Sequence, residues 1–135
     1  MEKIDTICII DDDEIYQLFT KKSILRINDR YEILSYINGR DAMQGLQQRL
    51  DAKSEMPDLI LLDINMPVMD GWQFMESFLA VLPQIDKKIT IYIVSSSIAP
   101  SDKEKAHSYA SIAGFISKPL DVETLQKLLQ VNTVQ

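Results

Sequence analysis

The chain has 135 residues, 46% of them hydrophobic and 25% charged, and a formal net charge of −6. This is the size and make-up of one globular domain able to bury a real core. The acidity speaks against a nucleic-acid surface, which needs clustered Lys and Arg. No apolar run approaches the ~18 to 20 residues of a membrane span.

Strand and helix patterns alternate along the chain. Ile7-Cys8-Ile9-Ile10 is continuously apolar, as expected of a strand covered on both faces, and ends in Asp11-Asp12-Asp13. Cys8, the lone cysteine, is expected to be buried and inert; it rules out an intrachain disulfide and fits a reducing compartment. The N-terminus, Met1-Glu2-Lys3-Ile4-Asp5, lacks the apolar segment of a signal peptide, so a cytoplasmic location is expected. Ile15, Leu18, Phe19 and Leu25 recur at helical spacing to about Asn28, with Asp13 as the cap. Tyr31 to Ile37 alternates and reads as an edge strand. Asn38 caps a helix through Ala42, Met43, Leu46 and Leu50, and the polar stretch Asp51 to Pro57 is a loop.

Leu59-Ile60-Leu61-Leu62 is the third strand and ends in Asp63. A turn-rich loop, Asn65-Met66-Pro67-Val68-Met69-Asp70-Gly71, leads into a helix through Trp72, Met75, Phe78, Leu79 and Leu82, stopped by Pro83. Trp72 is expected to pack at its start. Ile91-Tyr92-Ile93-Val94 ends in Ser95. Ser101-Asp102-Lys103-Glu104 has capping-box form and opens a fourth helix to about Tyr109. This helix carries the single histidine, His107, whose expected role is ordinary surface or packing. Gly114-Phe115-Ile116 runs through Ser117 into Lys118-Pro119, and Asp121 caps a last helix through Val122, Leu125, Leu128 and Leu129.

Five strand–helix units imply an α/β fold: a doubly wound, five-stranded parallel sheet of order 2-1-3-4-5, flavodoxin-like, with helices on both faces. In such sheets ligands bind beyond the carboxyl ends of the strands, at the switch point, here between strands one and three. Asp11, Asp12 and Asp63 would meet there. Like charges so close raise one another's pKa unless neutralised, and a hard divalent cation such as Mg²⁺ does so with oxygen ligands. Lys118, at a strand end, supplies a cation opposite the metal. Ser95 supplies a hydroxyl that can follow an anionic oxygen. Ser96 and Ser97 are alternatives within the triplet, and strand register favours Ser95. A carboxylate nucleophile at Asp63 would give an aspartyl phosphate.

These residues, in order and at these spacings, resemble the receiver domain of two-component response regulators over essentially the whole chain. The resemblance rests on Ile10-Asp11-Asp12, the run from Leu62 to Gly71, Val94-Ser95-Ser96 and Ser117-Lys118-Pro119. It implies that Asp63 accepts a phosphoryl group from a sensor histidine kinase or a histidine phosphotransfer protein. It implies a Mg²⁺ site of Asp12, Asp63 and the backbone carbonyl of Asn65, supported by Asp11. Ser95 and Lys118 would contact the phosphoryl oxygens, Phe115 would be the switch aromatic beside Ser95, and the Lys118–Pro119 bond would be cis. The fourth helix, fifth strand and fifth helix would then present a surface to an effector protein. The alternative output is a phosphorelay intermediate that passes the phosphoryl group to a histidine phosphotransfer protein. Because the chain ends soon after the last helix, residues 1–135 are expected to be a single stand-alone receiver domain with no output domain, binding neither nucleic acid nor membrane.

Two other classes fit less well. An aspartate-nucleophile phosphatase would place a second acid two residues after Asp63, where Asn65 stands. A flavin or nucleotide binder of this fold would carry a Gly-rich first loop, where this chain has acids.

Overall fold

A computed structural model of the protein describes residues 4–131. Five strands, β1 (Thr6–Ile10), β2 (Glu32–Tyr36), β3 (Leu59–Leu62), β4 (Thr90–Ser95) and β5 (Ile112–Ser117), form one parallel sheet in the order β2-β1-β3-β4-β5. The helices are α1 (Glu14–Ile27), α2 (Gly39–Asp51), α3 (Gly71–Val81), α4 (Pro100–Ser108) and α5 (Val122–Val131). A single turn of 3₁₀ helix, Leu82–Gln84, holds Pro83 after α3.

Alternation along the strands divides the core in two. Cys8, Ile10, Ile60, Leu62, Ile91 and Ile93 face α2, α3 and α4, meeting Leu46, Phe74, Met75, Phe78 and Ala106. Ile7, Ile9, Leu59, Leu61 and Val94 face the other way, onto Ile24 of α1 and Leu125, Leu128 and Leu129 of α5. β1 and β3 are buried along their whole length. β2 is half exposed at its edge.

Three helix starts match the expected caps. Asp13 accepts from Tyr16 N–H, Asn38 from Asp41 N–H and Asp121 from Thr124 N–H. Asp70 and Gln73 form a reciprocal capping box at α3. α4 differs from expectation. It begins at Pro100 behind Ala99, without a side-chain cap, and Ser101 already lies inside it. Proline's fixed φ and missing N–H suit the first helical position, which displaces Ser101 from the cap. Asp102, instead of serving a box, accepts the Ser97 hydroxyl at 2.5 Å.

α1 also departs from its pattern. Its buried residues are Gln17, Thr20 and Ile24, while Ile15 and Phe19 are 70% and 68% exposed. Gln17 explains the rotation: its Nε2 donates to the carbonyls of Asp11 and Tyr36, 2.7 Å each, tying the ends of β1 and β2 to the helix. β5 begins two residues before the expected run. A register shift opposite Ile91 and Tyr92 leaves Ala113 unpaired, so that Gly114 meets Tyr92 and Ser117 meets Ser95.

Candidate functional site

Register places the chemistry. Ile10 pairs with Leu62, so Asp11 and Asp63 leave adjacent strands side by side. Ser95 pairs with Ser117, and Lys118 N–H donates to the Ser95 carbonyl at 2.9 Å. Carboxylate oxygens of Asp11, Asp12 and Asp63 lie within 4.8 Å of one another. Asp11 and Asp63 are buried and Asp12 is exposed. The local backbone holds this arrangement tightly. Gly71, the first residue of α3, donates to the Ile64 carbonyl, and a Cβ there would stand 2.3 Å from the Asp63 carbonyl oxygen. Only glycine lets α3 start this close behind the acid.

Both oxygens of Asp11 are engaged, Oδ1 by Asp13 N–H at 2.9 Å and Oδ2 by Lys118 Nζ at 2.8 Å. Asp63 Oδ1 accepts Ile64 N–H at 2.8 Å, and its Oδ2 lies 3.6 Å from Lys118 Nζ. Burial first, and then the neighbouring Asp11 charge, push the Asp63 pKa up to about 6, against the opposing pull of Lys118 and the Ile64 N–H. Burial alone would lower the Lys118 pKa, but its hydrogen bond to Asp11 and the charges of Asp11 and Asp63 carry it above its ordinary value. Lys118 thus pairs with two of the three clustered carboxylates, Asp11 and Asp63, and its single positive charge leaves the cluster net negative. The remaining negative charge, the all-oxygen donor set and the solvent-open position beside Asp12 fit a hard divalent cation that keeps waters. Asn65 lies exposed in the loop two residues beyond Asp63.

The expected switch residues sit on the adjacent strands. Ser95 is fully buried, and its Oγ accepts Ser97 N–H at 3.1 Å, so the hydroxyl is engaged in the loop after β4. Phe115 is half-buried on β5 and packs against the α2–α4 side of the core, with Lys103 Nζ 5.9 Å from its ring. The Lys118–Pro119 peptide bond is cis. His107 is exposed on α4. Trp72 packs at the start of α3, stacked on Tyr109.

Sequence reasoning missed two residues of the site, Tyr16 and Gln17. Tyr16 lays its ring against Lys118, 4.4 Å from Nζ to the centroid, and its oxygen accepts Leu120 N–H at 3.3 Å. Gln17 lies off the apolar stripe of Ile15, Leu18 and Phe19, on the face it shares with Thr20 and Ile24, so the hydrophobic pattern pointed away from it. Tyr16, 102 positions from its lysine, left no signal.

Comparisons with known proteins agree with this geometry. Residues 7–130 match the response regulator receiver domain. A two-component response regulator from Cytophaga hutchinsonii is 35% identical, superposes with a TM-score of 0.79, and is matched over 93% of this chain and 94% of its own. One from Legionella pneumophila is 28% identical with a TM-score of 0.79, over 96% and 97%. A curated protein-glutamate methylesterase/protein-glutamine glutaminase from Clostridium acetobutylicum is 33% identical over 95% of this chain but only 34% of its own length. Two-component response regulator ORR1 from Oryza sativa subsp. indica is 28% identical over 76% of this chain and 45% of its own. The chain thus spans less than half the length of these curated relatives. With the motif residues gathered at one sheet rim and the family matched over nearly its full length, the chain belongs to the response regulator receiver domains of two-component signalling.

Proposed function

We propose that Asp63 is the phosphoacceptor of this receiver, loaded from the phosphohistidine of a sensor kinase or histidine phosphotransfer protein. The observation that carries this reading is the charge balance at Asp63. It is a buried carboxylate with one oxygen fixed by a backbone N–H and the other facing Lys118, beside two further acids. In the transfer, an Asp63 oxygen attacks phosphorus; the P–O bond forms as the P–N bond breaks. The electron pair leaves on the imidazole nitrogen, which takes its proton from solvent, and an acyl phosphate remains. Lys118 neutralises equatorial oxygens and Ser95 donates its hydroxyl to one of them. Asp12, Asp63 and the Asn65 carbonyl would hold Mg²⁺, with Asp11 in support; the ion would supply the remaining charge neutralisation.

The output is a two-state switch. The Ser95 hydroxyl, which accepts Ser97 N–H, has its own proton to donate to a phosphoryl oxygen; as it moves toward that oxygen, the Phe115 ring can turn toward the space beneath β4. The surface of α4, β5 and α5 changes for an effector protein. A titration with beryllofluoride and Mg²⁺, followed by amide chemical shifts, tests this reading. Saturable shifts at Asp63, Ser95 and Lys118 are expected in wild type and should vanish in Asp63→Asn and weaken strongly in Asp12→Ala. Undiminished shifts in Asp63→Asn would reject the assignment.

A further inference from the structure

We infer that Tyr16 is a positioning residue for phosphoryl transfer, holding the Lys118 ammonium in place for the group arriving on Asp63. This rests on the reading of Asp63 as the acceptor. Tyr16 lies in the first turn of α1, immediately behind the acidic run, because its N–H is the one capped by Asp13. Lys118 Nζ lies over its ring, 4.4 Å from the centroid, while Asp11 and Asp63 stand at 2.8 and 3.6 Å from the same ammonium. Between these three neighbours the Lys118 side chain is only 18% exposed.

The chemistry of the contact matters. A lysine is a compact charge on a flexible four-carbon stem, and open water in place of the ring would let it leave the site. Another carboxylate would hold it away from the phosphoryl oxygens. An aromatic face attracts the cation without supplying an acceptor that competes for its N–H groups. Lys118 can therefore turn from Asp11 toward a phosphoryl oxygen while still covered by the ring. The same side chain fixes the segment that carries the lysine, since Tyr16 Oη accepts Leu120 N–H two residues beyond it. Tyr16 also lines, with Asp11, Thr20, Val94 and Leu120, the small cavity under Asp63.

Rates of acyl phosphate formation from acetyl phosphate with Mg²⁺ test the role, read by intact mass in wild type, Tyr16→Phe, Tyr16→Leu, Lys118→Ala and the Tyr16→Leu/Lys118→Ala double variant. Tyr16→Phe keeps the ring and should label within about threefold of wild type, whereas Tyr16→Leu should label about tenfold more slowly, the scale of a mostly desolvated cation–π contact. In the Lys118→Ala background Tyr16→Leu should cause no further slowing, because the ring acts through the lysine. Should Tyr16→Leu fail to fold, Tyr16→Met carries the same comparison. Proton shifts of the Lys118 side chain supply a readout independent of transfer: displaced by the ring current in wild type and Tyr16→Phe, and undisplaced in Tyr16→Leu. Tyr16→Leu labelling at the wild-type rate, or slowing Lys118→Ala by the factor it slows wild type, would overturn the role. Side-chain shifts equal in all three proteins would overturn the contact. A wild type that takes no label, with the ring-current pattern intact, would reject the acceptor reading while supporting the contact.

Discussion

The burial of Asp63 against two other acids is a stability cost that the protein bears when no cation is bound, and its size follows from the raised pKa. The Asp63 pKa stands at about 6 in the fold against an ordinary 3.8, so the folded state holds this proton more tightly than the unfolded chain does. The favourable contribution is therefore present below pH ~4 and is lost as pH rises through ~6. At about 1.36 kcal/mol per pKa unit, wild type forgoes about 1.5 kcal/mol at pH 5 and about 3 kcal/mol at pH 8. Asp63→Asn keeps an oxygen for the Ile64 N–H and has no charge to bury. In chelator-treated protein, urea unfolding should find Asp63→Asn more stable than wild type, with the gap widening by about 1.5 kcal/mol from pH 5 to pH 8. Added Mg²⁺ should close the gap by stabilising wild type alone. A gap of the same size at both pH values would refute the reasoning, since Asp63 would then not be titrating in the fold at an elevated pKa.

Other expectations can be checked by the same unfolding and shift measurements. Gly71→Ala should destabilise by at least about 2 kcal/mol, because the new Cβ would collide with the Asp63 carbonyl rather than with a movable side chain. Lys53 occupies the left-handed position after α2 at φ 58°, with Ser54 N–H returning to Arg49 and Lys53 N–H to Leu50, so Lys53→Gly should stabilise by about 0.5 to 1 kcal/mol in urea unfolding. Gln17→Ala removes two donors from the ends of β1 and β2 and should cost about 2 kcal/mol, also by urea unfolding. Ser95→Ala should still take beryllofluoride at Asp63 but spread less of the shift change to α4, Phe115 and α5; distal shifts as large as wild type would remove the hydroxyl from the switch.

What could be read in the sequence, and what could not, divides along physical lines. β1 and β3 are legible because strands covered on both faces must be apolar without interruption. Their terminal aspartates follow, since parallel register brings the carboxyl ends of β1 and β3 together. α1 shows the limit: Ile15, Leu18, Phe19 and Leu25 locate a helix, but Ile15, Leu18 and Phe19 point outward, because Gln17 is drawn in to satisfy the carbonyls of Asp11 and Tyr36. Hydrophobic periodicity finds an element without deciding a face that polar contacts have claimed. The start of α4 was hidden for a similar reason. A capping-box pattern at Ser101 competed with Pro100, and proline's restricted backbone prevailed. The bulge at Ala113 and the ring of Tyr16 over Lys118 arise from packing between distant segments and have no local signature.

The central claim is that Asp63 is the residue that takes the phosphoryl group. The most direct measurement is to incubate the protein with Mg²⁺ and acetyl phosphate, trap the acyl phosphate by borohydride reduction, and map the reduced residue by peptide mass spectrometry. The account predicts a single reduced position, Asp63, lost in Asp63→Asn and when Mg²⁺ is chelated. Reduction at Asp11 or Asp12 in the wild type, or label that persists in Asp63→Asn, would contradict it.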